Sequence, residues 1–195
     1  TKGREAFDAG AWKTTHPTER KDILIRLAKL MTRNKRELAV MESLESGKPI
    51  ADCENVDIPE AIATIKWHAE AIDKIYDEVA ATPHDELGLI TREPVGVVAA
   101  IVPWNFPLMI GAWKIAPALA AGNSVVLKPS KFTPGVGQAV AELFDRCRLP
   151  RGGVRLHALL GRVAVDRDGG DEAVELHSLL ERLGHPPHRR LVVAR

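Results

Sequence analysis

The segment of this sequence best suited to do chemistry is Pro103-Trp104-Asn105-Phe106-Pro107, an asparagine held between two prolines and two large aromatic residues. The prolines fix the backbone on either side, and the side-chain amide is an uncharged donor that can face a carbonyl oxygen gaining negative charge. Removing such a donor from an oxyanion site typically costs about 3–4 kcal/mol of transition-state stabilisation. On the motif alone a turn asparagine among packing aromatics is the commoner reading, and the oxyanion role stays open beside it. A second segment follows an apolar run, where Lys128 leads into Pro129, Ser130, Lys131 and Phe132. A lysine there can bond ligand hydroxyls or phosphate while its stem stays packed, or simply be a solvated strand end. Gly135-Val136-Gly137 has half of a dinucleotide fingerprint, but its first glycine falls after a helix has begun and Val140 stands where a third glycine belongs. Cys53 and Cys147 fit neither a disulfide framework nor a zinc spacing, and neither has the basic surroundings that activate a thiol. There is no Walker loop, no His-x-x-x-His and no Gly-x-Ser-x-Gly elbow, and no metal site is expected.

Both loops belong to an alternation of strands and helices. Residues 95–102 form a continuous apolar, β-branched run, the pattern of a strand buried on both faces of a parallel sheet. A helix is predicted over about 108–121, stopped by Gly122-Asn123, and residues 124–128 make the next buried strand. Thr133-Pro134 opens a further helix to about Arg146. The predicted architecture is α/β, part of a doubly wound, Rossmann-like parallel sheet with helices before it, and in such sheets ligands bind where strands end and helices begin. Upstream, His16-Pro17-Thr18-Glu19 opens a helix in which Glu19 can reach back to free N–H groups. Asn34 offers a second cap before an apolar face of Leu38, Met41 and Leu44, with Gly47 as the stop. Asp57-Ile58-Pro59-Glu60 caps a third helix whose stripe runs Ile58, Ile62, Ile65, Ala69, Ile72 and Tyr76, ending near Val79. Leu87, Leu89 and Thr91 then alternate as in an edge or hairpin strand.

The chain has 195 residues, 45% hydrophobic and 27% charged, enough for one globular domain and part of another, which excludes disorder and collagen. Its 27 basic and 26 acidic side chains are interleaved, so there is no field to hold a polyanion, and nucleic acid is not expected as a partner. No apolar run approaches the roughly 20 residues needed to cross a bilayer, and residues 1–4 carry no signal-peptide core, so no membrane association is expected. The sparse cysteines point to a reducing, cytoplasmic setting. Composition changes near Val154: all 11 lysines and all nine aromatic residues precede it, whereas the last 42 residues hold seven arginines and four of the seven histidines. Two parts are predicted, 1–153 and 154–195.

Several segments together resemble the aldehyde dehydrogenase superfamily: residues 91–98 (Thr91-Arg92-Glu93-Pro94-Val95-Gly96-Val97-Val98), Pro103-Trp104-Asn105-Phe106-Pro107, residues 114–123, Lys128-Pro129-Ser130, and Ser46-Gly47-Lys48-Pro49. The likeness covers roughly residues 4–153. Residues 67–78 and 87–92 look most like bacterial enzymes acting on amino- or glutamyl-aminoaldehydes, the gamma-glutamyl-gamma-aminobutyraldehyde dehydrogenase-like subgroup. The resemblance implies oxidation of an aldehyde to a carboxylic acid with NAD or NADP, through a cysteine thiolate that attacks the aldehyde. Asn105 matches the amide that holds the resulting oxyanion. Val102, Pro103 and Trp104 match positions lining the cofactor cleft, Lys128 matches the lysine that contacts the adenosine ribose, and Ser130 and Lys131 lie in the same loop. Many relatives carry glutamate at the position of Lys131. A lysine there lacks the anion that repels a 2′-phosphate, which leaves the choice between NAD and NADP open.

The nucleophilic cysteine, the glutamate base and the glycine-rich turn of the next unit belong beyond the region that resembles the family. The expectation is therefore a catalytically incomplete piece of a cofactor domain. The alternative is a non-catalytic assembly module that uses residues 87–92 as an edge strand to pair with a full-length subunit, giving a homo-oligomer. For the tail, the abrupt composition suggests a shifted reading frame. A genuine short extension with a helix near 171–184 and a disordered arginine-rich tail are the other readings.

Overall fold

In a computed structural model, the described residues are 2–147, 149 and 154–156. After α1 (Lys2–Asp8), Pro17 occupies the first turn of α2 (Pro17–Arg33), as its fixed φ suits. The cap is the His16 ring, which accepts from the Thr18 N–H at 3.3 Å, and not Glu19. Ile23, Leu24, Leu27, Ala28 and Met31 make the buried stripe of α2. At its end the Asn34 amide donates to the Leu30 carbonyl at 2.6 Å, so Asn34 closes α2 and its side chain does not cap the next helix.

Helix α3 (Lys35–Ser46) is rotated from the expected face: Leu38, Ala39 and Glu42 are buried, while Leu44 is 81% exposed. It stops at Gly47, whose φ of 74° is a conformation glycine adopts without strain. The next helical run starts earlier than sequence reading predicts. It passes from α4 (Ile50–Asp52) through a π turn (Cys53–Asp57) into α5 (Ile58–Ala71). Asp57 is helical and buried rather than a cap. Pro59 lacks an N–H and follows the π turn, where the regular ladder is already interrupted. A 3₁₀ turn (Ile72–Lys74) ends the run, and Ile75 is extended.

The helix therefore does not reach Val79. That residue lies in β1 (Glu78–Ala80), which pairs antiparallel with β2 (Gly88–Ile90), so the predicted hairpin strand exists and its partner is the segment assigned to the helix. Leu87 and Leu89, which alternate in the sequence as in an edge or hairpin strand, are both exposed.

A second sheet has the order β3-β4-β5, all parallel: β3 (Val97–Ile101), β4 (Ser124–Lys128) and β5 (Val154–Leu156). Between them run α6 (Pro107–Ala120) and α7 (Pro134–Arg146), which give the expected β-α-β-α alternation, and β5 adds a third strand that sequence reading does not predict. Strand β5 lies in the segment whose composition departs from the rest of the chain. Helices α6 and α7 pack on each other and on α2, and α5 packs on both α2 and α6. The shared core joins Leu24, Leu27, Ile65, Leu119, Val125, Leu127 and Phe144. Trp12, 2% exposed, adds its ring and donates from Nε1 to the Leu119 carbonyl at 3.2 Å. This packing fixes the direction in which β3 and β4 deliver their following loops.

Candidate functional site at the strand ends

Because β3 and β4 are parallel neighbours with Ile101 opposite Lys128, their following loops open on the same edge of the sheet. The Val102 N–H donates to the Lys128 carbonyl at 3.1 Å, so the two sequence-predicted segments meet through the backbone. Val102 is buried, whereas Pro103, Trp104 and Asn105 are exposed. Among the described residues the Asn105 amide makes no hydrogen bond, which leaves both ends of it available to a ligand. Lys128 is half-buried. Ser130 is buried and its hydroxyl accepts from the Phe132 N–H at 3.3 Å, so it shapes the turn. Lys131 is exposed, with its ammonium 5.5 Å from the ring of Phe132. Thr133, fully buried, lines with Val102, Pro107 and Val136 an apolar cavity of about 30 Å³ behind the loops, too small for more than water.

The third predicted feature behaves differently. The N-terminus of α7, where Gly135 and Val136 present free N–H groups, is already filled. The Glu45 carboxylate, on α3, accepts from the Gly135 N–H at 2.6 Å and the Val136 N–H at 2.9 Å. A phosphate would compete with that carboxylate for the same positive helix end. A Cβ on Gly135 would lie 2.7 Å from the Glu45 carboxyl oxygen, so this glycine serves the close approach of Glu45.

Sequence reading missed a buried polar cluster beneath the Asn105 loop. Gly47 turns the chain so that the Lys48 ammonium pairs with Asp57 and lies 3.4 Å from the ring centroid of Phe106. Glu42, fully buried, has one carboxyl oxygen 4.0 Å from that ammonium. Burial and the neighbouring Asp57 push the Glu42 carboxyl up to about 7, against the opposing pull of Lys48 and of the Leu108 N–H. With both carboxyls ionised neither could donate to the other; as the acid, Glu42 can donate to Asp57. Glu42, Cys53 and Asp57 bring their ligand atoms within 4.8 Å of one another, but the Lys48 ammonium already supplies the cationic charge there. A glutamate inside an amphipathic helix normally reads as part of the solvated face, so no pattern in the sequence marks this cluster.

Neither cysteine is placed as a nucleophile. Burial, then Glu42 and Asp57, raise the Cys53 thiol. Burial pushes Cys147 up to about 11, and its sulfur bonds the Phe144 carbonyl at 3.1 Å. At the opposite edge of the sheet, a groove of about 920 Å³ runs between the end of α5, the hairpin neck and the end of α6, lined by Arg20, Trp67, Tyr76, Arg92 and Ala121.

The model of the aldehyde dehydrogenase family matches residues 1–167. The chain belongs to the aldehyde dehydrogenase family. This aldehyde dehydrogenase chain is 53% identical over 149 residues to the aminoacetaldehyde dehydrogenase of Pseudomonas aeruginosa, covering 76% of its own length and 30% of that protein. It is 52% identical, with the same coverage, to the NADP/NAD-dependent aldehyde dehydrogenase PuuC of Escherichia coli. Among solved structures, an indole-3-acetaldehyde dehydrogenase complexed with NAD superposes with a TM-score of 0.78 at 55% identity, over 80% of this chain and 31% of that one. The chain thus spans about a third of the length of the relatives it matches. Its parallel sheet and the helices before it are the N-terminal part of the family's fold. No described helix is long and apolar enough to cross a membrane.

Proposed function

We propose that this chain carries the oxyanion donor and the nucleotide-facing loops of an NAD(P)-dependent aldehyde oxidation and, taken alone, binds cofactor without turning over. The observation that carries the reading is Asn105: an amide without a hydrogen-bond partner among the described residues, at the carboxyl end of a parallel strand, beside Lys128 on the next strand. The donors at this edge fit the sugar side of a dinucleotide. Lys128 and Lys131 offer ammonium groups toward ribose hydroxyls, and Val102, Pro103 and Trp104 line the approach. The nicotinamide supplies a hydride acceptor when bound. Asn105 then donates to the aldehyde oxygen, stabilising it most as charge develops there. An aminoaldehyde is the proposed substrate class, in line with the aminoacetaldehyde dehydrogenase that resembles the chain.

The thiolate step has no candidate here, because both cysteines are buried and their thiols are shifted upward. Titration calorimetry with NAD and NADP, followed by an absorbance assay with an aminoaldehyde, tests both halves of the reading. Saturable binding without steady NAD(P)H formation is expected; turnover by the purified chain would overturn the second half, and no binding the first.

A second reading, assembly with a fuller copy of the family fold, is favoured by the hairpin. Sheets of two strands are marginal alone. Here Val79, Leu87, Leu89 and Ile90 are all more than half exposed on β1, β2 and their flank. Native mass spectrometry with a related full-length enzyme distinguishes the readings, since a hetero-oligomer supports assembly and a persistent monomer counts against it.

A further inference from the structure

We propose that Lys48 is a positioning residue for Asn105, clamping the 103–107 loop through the ring of Phe106. The inference rests on the reading of Asn105 as the functional amide. Asn105 makes no hydrogen bond among the described residues, so its own side chain does not fix where it sits. Pro103, Trp104 and Asn105 are exposed, and Phe106 is the first loop side chain to enter the protein. Phe106 also stands at the N-cap of α6 without a side-chain cap bond. What meets its ring is the Lys48 ammonium, 3.4 Å from the centroid, the closest cation–ring approach among the described residues. A cation over an aromatic face gains most when it is desolvated, and the Lys48 side chain is only 20% exposed.

The ammonium is itself held in place from several elements. Asp57 in the π turn pairs with it, Glu42 reaches it from α3, and Gly47 sets the turn that aims it. Cys53 and Asp52 complete the titratable groups that share this field. The arrangement links α3, the π turn and the loop after β3 through one charged atom. A lysine that merely neutralised two buried acids would have no need of the ring. A ring that merely filled space would not require a charge beneath it.

The test compares the full chain with its Lys48→Met and Lys48→Arg variants by amide hydrogen exchange without ligand. The Met variant keeps the apolar stem and loses the charge. Exchange at Val102 and Ile110, whose N–H groups donate to the Lys128 and Phe106 carbonyls and so bracket the loop, is expected to rise about tenfold or more, with the amides of Val125, Val126 and Leu127 in β4 little changed, and the Arg variant is expected to restore most of the protection. Unchanged loop exchange in folded Lys48→Met, or an equal rise through β4, would overturn the clamp. Should Lys48→Met fail to fold, Phe106→Leu removes the ring and leaves the ion pair. The same local loosening is expected there, and wild-type protection of the loop would overturn the proposal. NAD and NADP binding by the unmodified chain is measured separately, so a failure of the functional reading is told apart from a failure of the clamp.

Discussion

Glu42 and Asp57 illustrate how one excess carboxyl group in a buried cluster becomes a pH term. Glu42 holds its proton up to about 7 in the folded chain, well above its ordinary value of 4.5. The stability associated with the neutral acid is therefore fully present below the ordinary value and is lost as pH rises through about 7. Glu42→Gln keeps the shape without the titration. Urea midpoints measured at about pH 5 and about pH 8 should fall more for the wild type than for this variant, by roughly 2–3 kcal/mol in unfolding free energy; equal changes would mean that Glu42 does not titrate in the fold. Lys131 gives a second prediction at this scale. Its ammonium is exposed at the sheet edge, and on the proposed reading replacing it by glutamate would put an anion beside the 2′-phosphate of NADP. Lys131→Glu should raise the NADP dissociation constant about tenfold relative to that of NAD, read by calorimetry. The polar residues themselves were legible unevenly. Asn105 stood out because prolines and aromatics frame it, whereas Lys48, Glu42 and Asp57 come together only through the helical turns between them.

Helix α7 shows why an element can need a residue far away in the chain. Thr133 precedes it, but the Thr133 side chain makes no cap bond; Glu45, 90 residues earlier, accepts from the first N–H groups instead. Glu45→Ala should cost about 1 kcal/mol or somewhat more, as loss of a cap does, and Gly135→Ala should cost less, because the atoms its methyl meets are the end of the flexible Glu45 side chain, which can shift. Thermal unfolding of both single variants and the double variant checks this: the double should cost less than the sum if the two act through one contact. Such a cap cannot be read from sequence, because its partners are brought together only by packing of α3 on α7. The first hairpin strand was illegible for another reason. Glu78-Val79-Ala80 continues the spacing of the preceding helical stripe, and only pairing with residues 88–90 makes it extended. The β-α-β order, by contrast, was plain because uninterrupted apolar runs and a proline-led helix start carry local signals that tertiary contacts do not reverse.

For the whole molecule, the central fact is a sheet whose three described strands all run one way, with its hairpin standing apart. Val79→Lys together with Leu89→Glu, which face each other in the hairpin with opposite charges, should abolish any pairing through that hairpin while leaving the melting temperature of the isolated chain within a few degrees, since both side chains are already exposed. Analytical ultracentrifugation with a full-length relative reads the first effect and calorimetry the second. The helix expected near 171–184 and the shifted-frame segments beyond residue 156 lie outside the described residues; the shifted frame remains our proposal for the tail, and the coding nucleotides test it. The family match extends to residue 167 and β5 to Leu156, so the family pattern carries past the compositional break at 154.

On the proposed reading, Glu45 also bears on how a dinucleotide would be gripped. With the positive end of α7 neutralised from within, a diphosphate bridge would gain little from that helix, and the grip would pass to the sugars and rings. Association of NAD should then weaken only slightly as potassium chloride is added, whereas NADP, drawn by Lys131, should weaken steeply.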